Sequence, residues 1–527
     1  MNSDKQQKTL GRREFFRVAT ATPIALAAAG AAAGPSRGLE ASQPATAKKP
    51  NILYLMADQH RYDCMGNSGN PVIKTPNLDR IAAGGVRFTR AYTSTPSCTP
   101  ARSAILTGLS PWHHGMLGYG RVAERFPFEL PRAVRNAGYH TFGIGKMHWF
   151  PQTTLHGFHG TLVDESSREE SPGFLSDYRR WFRLVAPGLD SDASGIGWND
   201  HRATSYPLPE ELHPTCWTGD RAVEYIENYD REEPFMLKVS FARPHSPYDP
   251  PARFFQMYSD SDMPDPAVGK WAAGYEPWAQ GYGNNLWHGK LPLEKVRMAR
   301  RGYYGSVSFI DEQIGRILAA LEAKGELDNT LIVYFADHGD MLGDHNLWRK
   351  TYAVDGSARV PMLLRWPRSM GMEEARGTVR NNPVELRDIL PTFLDAAGAQ
   401  IPEGLDGRSM LELVRGEEGR WREVLDLEHW RCYSDRNNWN ALTDGRYKYI
   451  FHAYDGSEQL FDMHNDPDEL EDLAILPKYR GLVDEWRGRM GEHLAERGEP
   501  YVKGGRPVAR HGKDSLYGPN YPGSVPR

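Results

Sequence analysis

Hydrophobic residues fall into short unbroken runs, and helical patterns lie between them. Asn51 to Ala57 and Leu331 to Ala336 are continuous apolar stretches of strand length, each closed by polar residues: Asp58 and Gln59 after the first, Asp337 and His338 after the second. Runs of this kind predict strands buried on both faces, as in a parallel sheet covered by helices. Tyr139–Ile144 and Phe235–Val239 read as two further strands. Thr75–Gly85 combines a cap candidate, a proline at the first helical position and a double-glycine stop, which predicts a short helix. Phe128–Asn136 and Asp220–Tyr229 read as helices, and Pro292–Lys324 as a long helix, whole or broken, that ends at Gly325. Strands alternating with helices define an α/β fold with a mostly parallel sheet flanked by helices.

Two segments break the rhythm. Residues 151–209 and 250–291 are rich in Gly, Pro, Trp, Tyr and Asp without a period, and read as long ordered loops of the kind that set substrate choice or simply cover a core. Beyond about Arg415 the pattern changes again. Asn440–Met463 alternates strand-like runs with Asp-Gly turns at Asp444 and Asp455, predicting antiparallel hairpins, and Leu482–Arg497 predicts a helix packed on them. The expected organisation is a leader over 1–47, a main domain over 48–415, a smaller α+β subdomain with an antiparallel sheet over 416–503, and an extended tail over 504–527.

At 527 residues and 40% hydrophobic the chain can bury the core this requires, and a net charge of −5 with no basic run argues against nucleic acid as a partner. Arg12–Arg13, followed by the Ala-rich stretch from Val18 to about Ala33, reads as a twin-arginine export signal. The stretch is too short and too weakly apolar for a membrane span, so the expectation is a periplasmic or secreted protein exported by the twin-arginine (Tat) machinery and not integral to the membrane. Four cysteines, Cys64, Cys98, Cys216 and Cys432, are too few for a disulfide scaffold, and their spacing gives no zinc site.

Candidate chemistry gathers around Cys98. Pro100 reads as a first helical residue, which places Cys98 just ahead of a helix, where the dipole and unpaired N–H groups favour an anion. Arg102, one turn on, offers a fork suited to an oxyanion. A buried free cysteine at a helix cap is the simpler reading of these residues alone. If the strands ending at Asp58–Gln59 and Asp337–His338 are neighbours, two carboxylates, an amide and an imidazole converge, a donor set for Ca²⁺ that leaves Mn²⁺ or Mg²⁺ open. Taken singly, each polar pair is a turn or a cap.

The run Thr95–Gly108, with Cys98, Pro100, Arg102 and then Leu106, Thr107 and Gly108, resembles the first signature of the formylglycine-dependent sulfatases, and Gly138–His148 resembles the second. The resemblance extends from about Lys49 to about Ala474. It implies an alkaline-phosphatase-like fold and a hydrolase of sulfate monoesters. It also implies conversion of Cys98 to formylglycine by a maturation enzyme, and a divalent ion held by Asp58, Gln59, Cys98, Asp337 and His338. Catalytic roles fall to Cys98, Arg102, Lys146, His148, His245 and Lys350: Arg102, Lys146 and Lys350 bind sulfate oxygens, His245 protonates the leaving alcohol with Lys350 as its rival, and His148 orients the hydrated aldehyde. Asp340, Asp344 and His345 read as ordering their loop, and His113 and His114 likewise lie outside the chemistry.

Gln59 departs from the commoner family pattern, which has a second aspartate there. It matches a branch shared by bacterial arylsulfatases and phosphonate monoester hydrolases, and it leaves the site one negative charge poorer. The expected substrate is a sulfated small molecule or glycan. The alternatives are a phosphonate monoester or phosphodiester hydrolase using the same site, and a secreted binding protein with an inactive hydrolase fold.

Overall fold

The structure is a computed structural model that describes residues 48–197, 199–279, 286–512 and 514–525; the arginine pair and Ala-rich stretch of the expected export signal lie outside these residues. Its strands are β1 (Asn51–Asp58), β2 (Val86–Phe88), β3 (Ala91–Tyr92), β4 (His140–Gly145), β5 (Gly160–Val163), β6 (Phe235–Pro244), β7 (Thr330–Ala336), β8 (Met362–Arg365), β9 (Thr378–Arg380) and β10 (Val384–Glu385), followed by β11 (Leu425–His429), β12 (Trp439–Thr443), β13 (Tyr447–His452) and β14 (Glu458–Asp462), with a short hairpin of β15 (Val502–Lys503) and β16 (Arg506–Pro507) in the tail region. Eight of them form one sheet in the order β5-β4-β6-β1-β7-β8-β2-β9, and β11 to β14 form a second, antiparallel sheet.

The unbroken apolar runs have the cause that the sequence pattern implies. In β1 every residue is buried. Ile52, Tyr54 and Met56 face one core with the Cys98–Thr107 helix and the Ile389–Ala396 helix. Leu53, Leu55 and Ala57 face the other, with the Pro214–Glu227 and Leu293–Ala323 helices. Because successive side chains alternate, a strand covered on both sides has no position left for a polar residue until it ends. The second sheet packs Leu442, Tyr449 and Phe451 against Val483, Trp486 and Met490 of the Arg480–Leu494 helix, and its hairpins turn through left-handed Gly445 and Gly456. Residues 49–527 make one compact unit containing both sheets.

Several elements differ from the sequence expectation. The helix expected after Cys98 begins at Cys98 itself, because Ser97 is extended (φ −156°, ψ 154°) and serves as its cap residue; Pro100 is therefore its third residue. The helix expected from Asp220 starts at Pro214, where His213 Nδ1 accepts the backbone N–H of Thr215. The long helix runs unbroken over Leu293–Ala323. The segment 151–209 contains β5, which extends the main sheet beyond β4, and a helix over Asp177–Val185 whose Tyr178 and Phe182 are buried against Trp217. Surrounding Gly, Pro and Asp residues dilute that helix's short apolar stripe. The tail docks along residues 115–121: Leu117 N–H donates to Leu516 O at 2.9 Å and Gly518 N–H to Gly115 O at 2.8 Å.

Candidate active site

Register places the polar pairs. β6 and β7 flank β1 in parallel, and Ala57 is paired with Ala336, so Asp58 and Asp337, one residue later on adjacent strands, emerge side by side at the carboxyl edge. This is where open α/β sheets bind ligands. β4 ends level with Ser240 of β6, and Lys146 follows it. Gly145 makes that turn possible: it has φ 92°, and a Cβ there would lie 2.1 Å from Ser240 O. The N-terminus of the Cys98–Thr107 helix faces the same point, and all ten of its residues are buried.

Around Cys98 Sγ lie His338 Nε2 at 3.1 Å, Lys350 Nζ at 3.4 Å and Asp58 Oδ1 at 3.8 Å. Arg102 bridges the two strands, donating to Asp337 Oδ2 and to Asp58 Oδ2 at 3.0 Å each, and to Lys146 O at 2.6 Å. Lys146 Nζ pairs with Asp58 Oδ2 at 2.6 Å. Gln59 accepts from Lys350 Nζ at 2.8 Å, and its amide donates to Asp340. All of these groups are buried, so each charge depends on its partners.

The electrostatics follow from that crowding. Burial and the Asp58 carboxylate push the Cys98 thiol up, but Lys350, Lys146 and His338 outweigh them and bring it down to about 7. Burial opposes ionisation of Asp58, yet Lys146, His245, Arg102 and Lys350 hold its carboxyl well below the usual range. Burial, reinforced by nearby cations, pushes His245 and His148 well down. Burial lowers His338 too, but Asp337 and Cys98 reverse the sign.

The residues fit a hard divalent ion. Asp58 Oδ1 faces Cys98 Sγ at 3.8 Å and His338 Nε2 at 3.9 Å. Asp337 Oδ1 stands 3.8 Å from the same imidazole nitrogen. One donor atom from each of Asp58, Cys98, Asp337 and His338 thus falls within a 4.8 Å group. Two carboxylate oxygens that face an imidazole without bonding it enclose a space suited to a cation.

All the predicted site residues lie at this edge, though not all touch Cys98. His148 is held to one side: Glu165 accepts from its backbone N–H at 2.7 Å, and Arg168 and the Tyr119 hydroxyl both contact Nε2. His245 lines a small cleft together with Gln59 and Arg349, and its backbone N–H donates to Asp58 O at 3.1 Å. Asp340 does more than order its loop. Oδ1 accepts from Leu342 N and Arg349 N, and Oδ2 accepts from Gln59 and, at 2.6 Å, from the Tyr248 hydroxyl, so it fixes the orientation of the Gln59 amide. Asp344 binds Arg61 and Arg300, and His345 packs on Trp271, both away from Cys98. His113 pairs with Asp406 and Glu496, and His114 Nδ1 accepts from Met116 N.

Residues that sequence reasoning missed include Tyr119, Glu165, Arg168, Ser240, Tyr248 and Arg349. None stands in a motif, and Glu165 and Arg168 fall in a segment without periodicity. Backbone strain marks the region, since Gln59, His148, Arg349 and Thr351 all have φ between 60° and 84°.

This sheet, with acids at the ends of neighbouring parallel strands and a buried cysteine at a helix start between them, belongs to the alkaline-phosphatase-like superfamily. The sulfatase family model matches residues 50–399, and a model for the N-sulphoglucosamine sulphohydrolase C-terminal region matches 343–496. An arylsulfatase of Clostridium perfringens is 38% identical over 449 residues, covering 83% of this chain and 92% of the relative. A choline-sulfatase of Rhizobium meliloti is 31% identical, covering 84% and 85%. The solved phosphonate monoester hydrolase of Agrobacterium radiobacter superposes with a TM-score of 0.72 at 26% identity, covering 88% of this chain and all of that one. The chain belongs to the sulfatase family, and it is a sulfatase.

Proposed function

We propose that the protein hydrolyses a sulfate monoester of a sugar or an aryl alcohol, with Cys98 matured to formylglycine as the nucleophile. The observation that carries this reading is the convergence of Asp58, Asp337 and His338 on Cys98, with Arg102, Lys146 and Lys350 beside them. The ion that fits among Asp58, Gln59, Cys98, Asp337 and His338, Ca²⁺ by its donor set, would supply Lewis acidity and charge neutralisation there.

The chain's own groups account for the rest. One hydroxyl of the hydrated aldehyde at position 98 attacks sulfur in line, and the bond from sulfur to the ester oxygen breaks. Arg102, Lys146 and Lys350 face the charge that builds on the sulfate oxygens. His245 gives the leaving alcohol its proton. Burial and the cations beside it keep it neutral in the free enzyme, and an arriving sulfate supplies the negative charge that lets it hold a proton. The second hydroxyl then gives its proton to His245, left neutral once it has protonated the alcohol, the carbon–oxygen bond to sulfate breaks and the aldehyde returns, ready for another water. Tyr119 and Arg168 fix His148 so that its ring orients the hydrate.

A structural likeness favours a second reading. A phosphonate monoester or phosphodiester carries the same single negative charge as a sulfate monoester, and the solved phosphonate monoester hydrolase shares this fold at 26% identity, so the same groups would hold either substrate. Co-expression with a formylglycine-generating enzyme, mass spectrometry of the Cys98 peptide, and rates on an aryl sulfate and an aryl phosphodiester with the same leaving group test both. An unmodified Cys98 in an active protein sinks the mechanism; faster turnover of the phosphodiester favours the second reading. Arg12–Arg13 supports export through the Tat route to the periplasm, after folding and maturation. Replacing both arginines by lysine should retain the protein in the cytoplasm.

A further inference from the structure

A cavity of about 420 Å³ lies between the second sheet and the segments around residues 271–275, 287–288 and 347–354. That size falls within the roughly 300–1,000 Å³ of small-molecule sites. Its apolar walls combine the rings of Trp271, Tyr275, Trp287, Tyr352 and Trp439 with four aliphatic side chains. Two of the rings are anchored, since Trp271 Nε1 donates to Glu469 O at 2.7 Å and Trp439 Nε1 to Thr351 O at 2.9 Å. Trp287 keeps an indole N–H that is shielded from solvent and has no acceptor among the described residues. Between the rings stand polar edges from His288, Asn437 and Gln459, with Arg436 exposed at the rim, and no carboxylate is among the described residues lining the cavity.

The cavity is coupled to the site already described. Asn437 Nδ2 donates to Thr351 Oγ1 at 2.7 Å, and Thr351 follows Lys350. The Trp287 ring stacks on Tyr433 with centres 5.8 Å apart, and the Arg349 guanidinium lies 4.5 Å from the Tyr433 ring centre. Arg349 lines the same small cleft as Gln59 and His245, and Gln59 accepts a hydrogen bond from Lys350.

We propose that this cavity is a subsite for one pyranose ring of an anionic oligosaccharide, the sugar next to the one whose sulfate ester reaches Cys98, an assignment that rests on the sulfatase reading of the site. A pyranose has apolar C–H faces and hydroxyl edges, which match flat rings separated by amide and imidazole groups. A hydrocarbon ligand would leave those polar edges unpaired. Arg436 at the rim, although Asp455 stands near it outside the lining, favours a ring that carries sulfate or carboxylate.

Calorimetry with disaccharides and tetrasaccharides from heparin, chondroitin sulfate and carrageenan, each beside its desulfated counterpart, tests the assignment. At least one sulfated member is expected to bind. Trp287→Ala should weaken it about tenfold, the scale of a well-packed aromatic anchor, and should lower by a similar factor the ratio of kcat/KM on that oligosaccharide to kcat/KM on an aryl sulfate. Arg436→Ala removes an exposed side chain, so its fold is secure, and it should weaken the sulfated ligand more than the desulfated one. Failure of every member to bind, or equal affinity in both variants, overturns the subsite while aryl-sulfate turnover still supports the active-site reading. Trp287-dependent binding without sulfate release from the bound oligosaccharide, in a protein that still turns over an aryl sulfate, overturns the placing of this cavity beside the reacting sugar.

Discussion

His429 Nε2 lies 3.0 Å from Ser97 Oγ, so the last residue of β11 touches the residue that caps the Cys98 helix. Next to it, Glu428 N–H donates to Ser94 O at 2.8 Å, and the Glu428 carboxylate takes both ends of Arg497 at 2.7 and 2.8 Å. The second sheet therefore presses on the loop that delivers Cys98 rather than merely covering the cleft.

His429→Ala should thus slow the chemical step. Losing one buried hydrogen bond costs about 1–1.5 kcal/mol, or roughly tenfold in kcat if the nucleophile's placement depends on it. KM for an aryl sulfate should change little, because His429 does not line the small cleft beside His245. Burial holds its imidazole down at about 3, so the defect should be the same from pH 5 to pH 8. A rise in KM with kcat intact would assign His429 to substrate binding instead.

Cys98→Ser tests the need for two hydroxyls on one carbon. A serine can be sulfated once but has no second hydroxyl with which to expel the sulfate. The expected result is one equivalent of leaving group at most, with a sulfate adduct on the substituted peptide in mass spectrometry. Steady turnover by this variant contradicts the scheme.

Asp58 links the two roles of the site, because one oxygen pairs with Arg102 and Lys146 while the other faces Cys98 and His338. Asp58→Ala should abolish turnover and also destabilise the fold by about 3–5 kcal/mol, the cost of stranding buried charge. Treating the parent protein with a chelator should abolish turnover as well, with recovery on adding Ca²⁺ and not with Asp58→Ala. Denaturant titration and activity measured on the same samples check both halves.

The sequence made the strands and their polar ends legible because a doubly covered strand excludes polar residues until it stops, so Asp58 and Asp337 stood out. Cys98, Arg102, Lys146 and His148 were legible through two motifs. Glu165 and Arg168 were not, since both reach His148 from a segment whose placement is set by β5 pairing with β4, and Tyr119 was not, since it stands in the stretch against which the tail docks; both are long-range events without a local pattern. The start of the helix at Cys98 was misplaced by two residues for a related reason: Pro100 is tolerated anywhere in a first turn, and the extended Ser97 decided the boundary.

A last prediction concerns pH. His113 Nδ1 lies 2.7 Å from Asp406 and Nε2 lies 3.2 Å from Glu496, so this imidazole ties the Pro111–His114 helix to the C-terminal region. The Asp406 hydrogen bond raises it from 6.5 to about 9 against the opposing effect of burial. A histidine whose folded pKa exceeds its unfolded value stabilises fully below the unfolded pKa and loses that contribution as pH rises through the folded one. The side chain is 40% exposed, so solvent screening keeps the effect small. His113→Gln should therefore melt below the parent protein at pH 6, and the gap should narrow above pH 7 and close near pH 9.5. A gap that stays constant across that range would show that the His113 contribution is packing rather than charge.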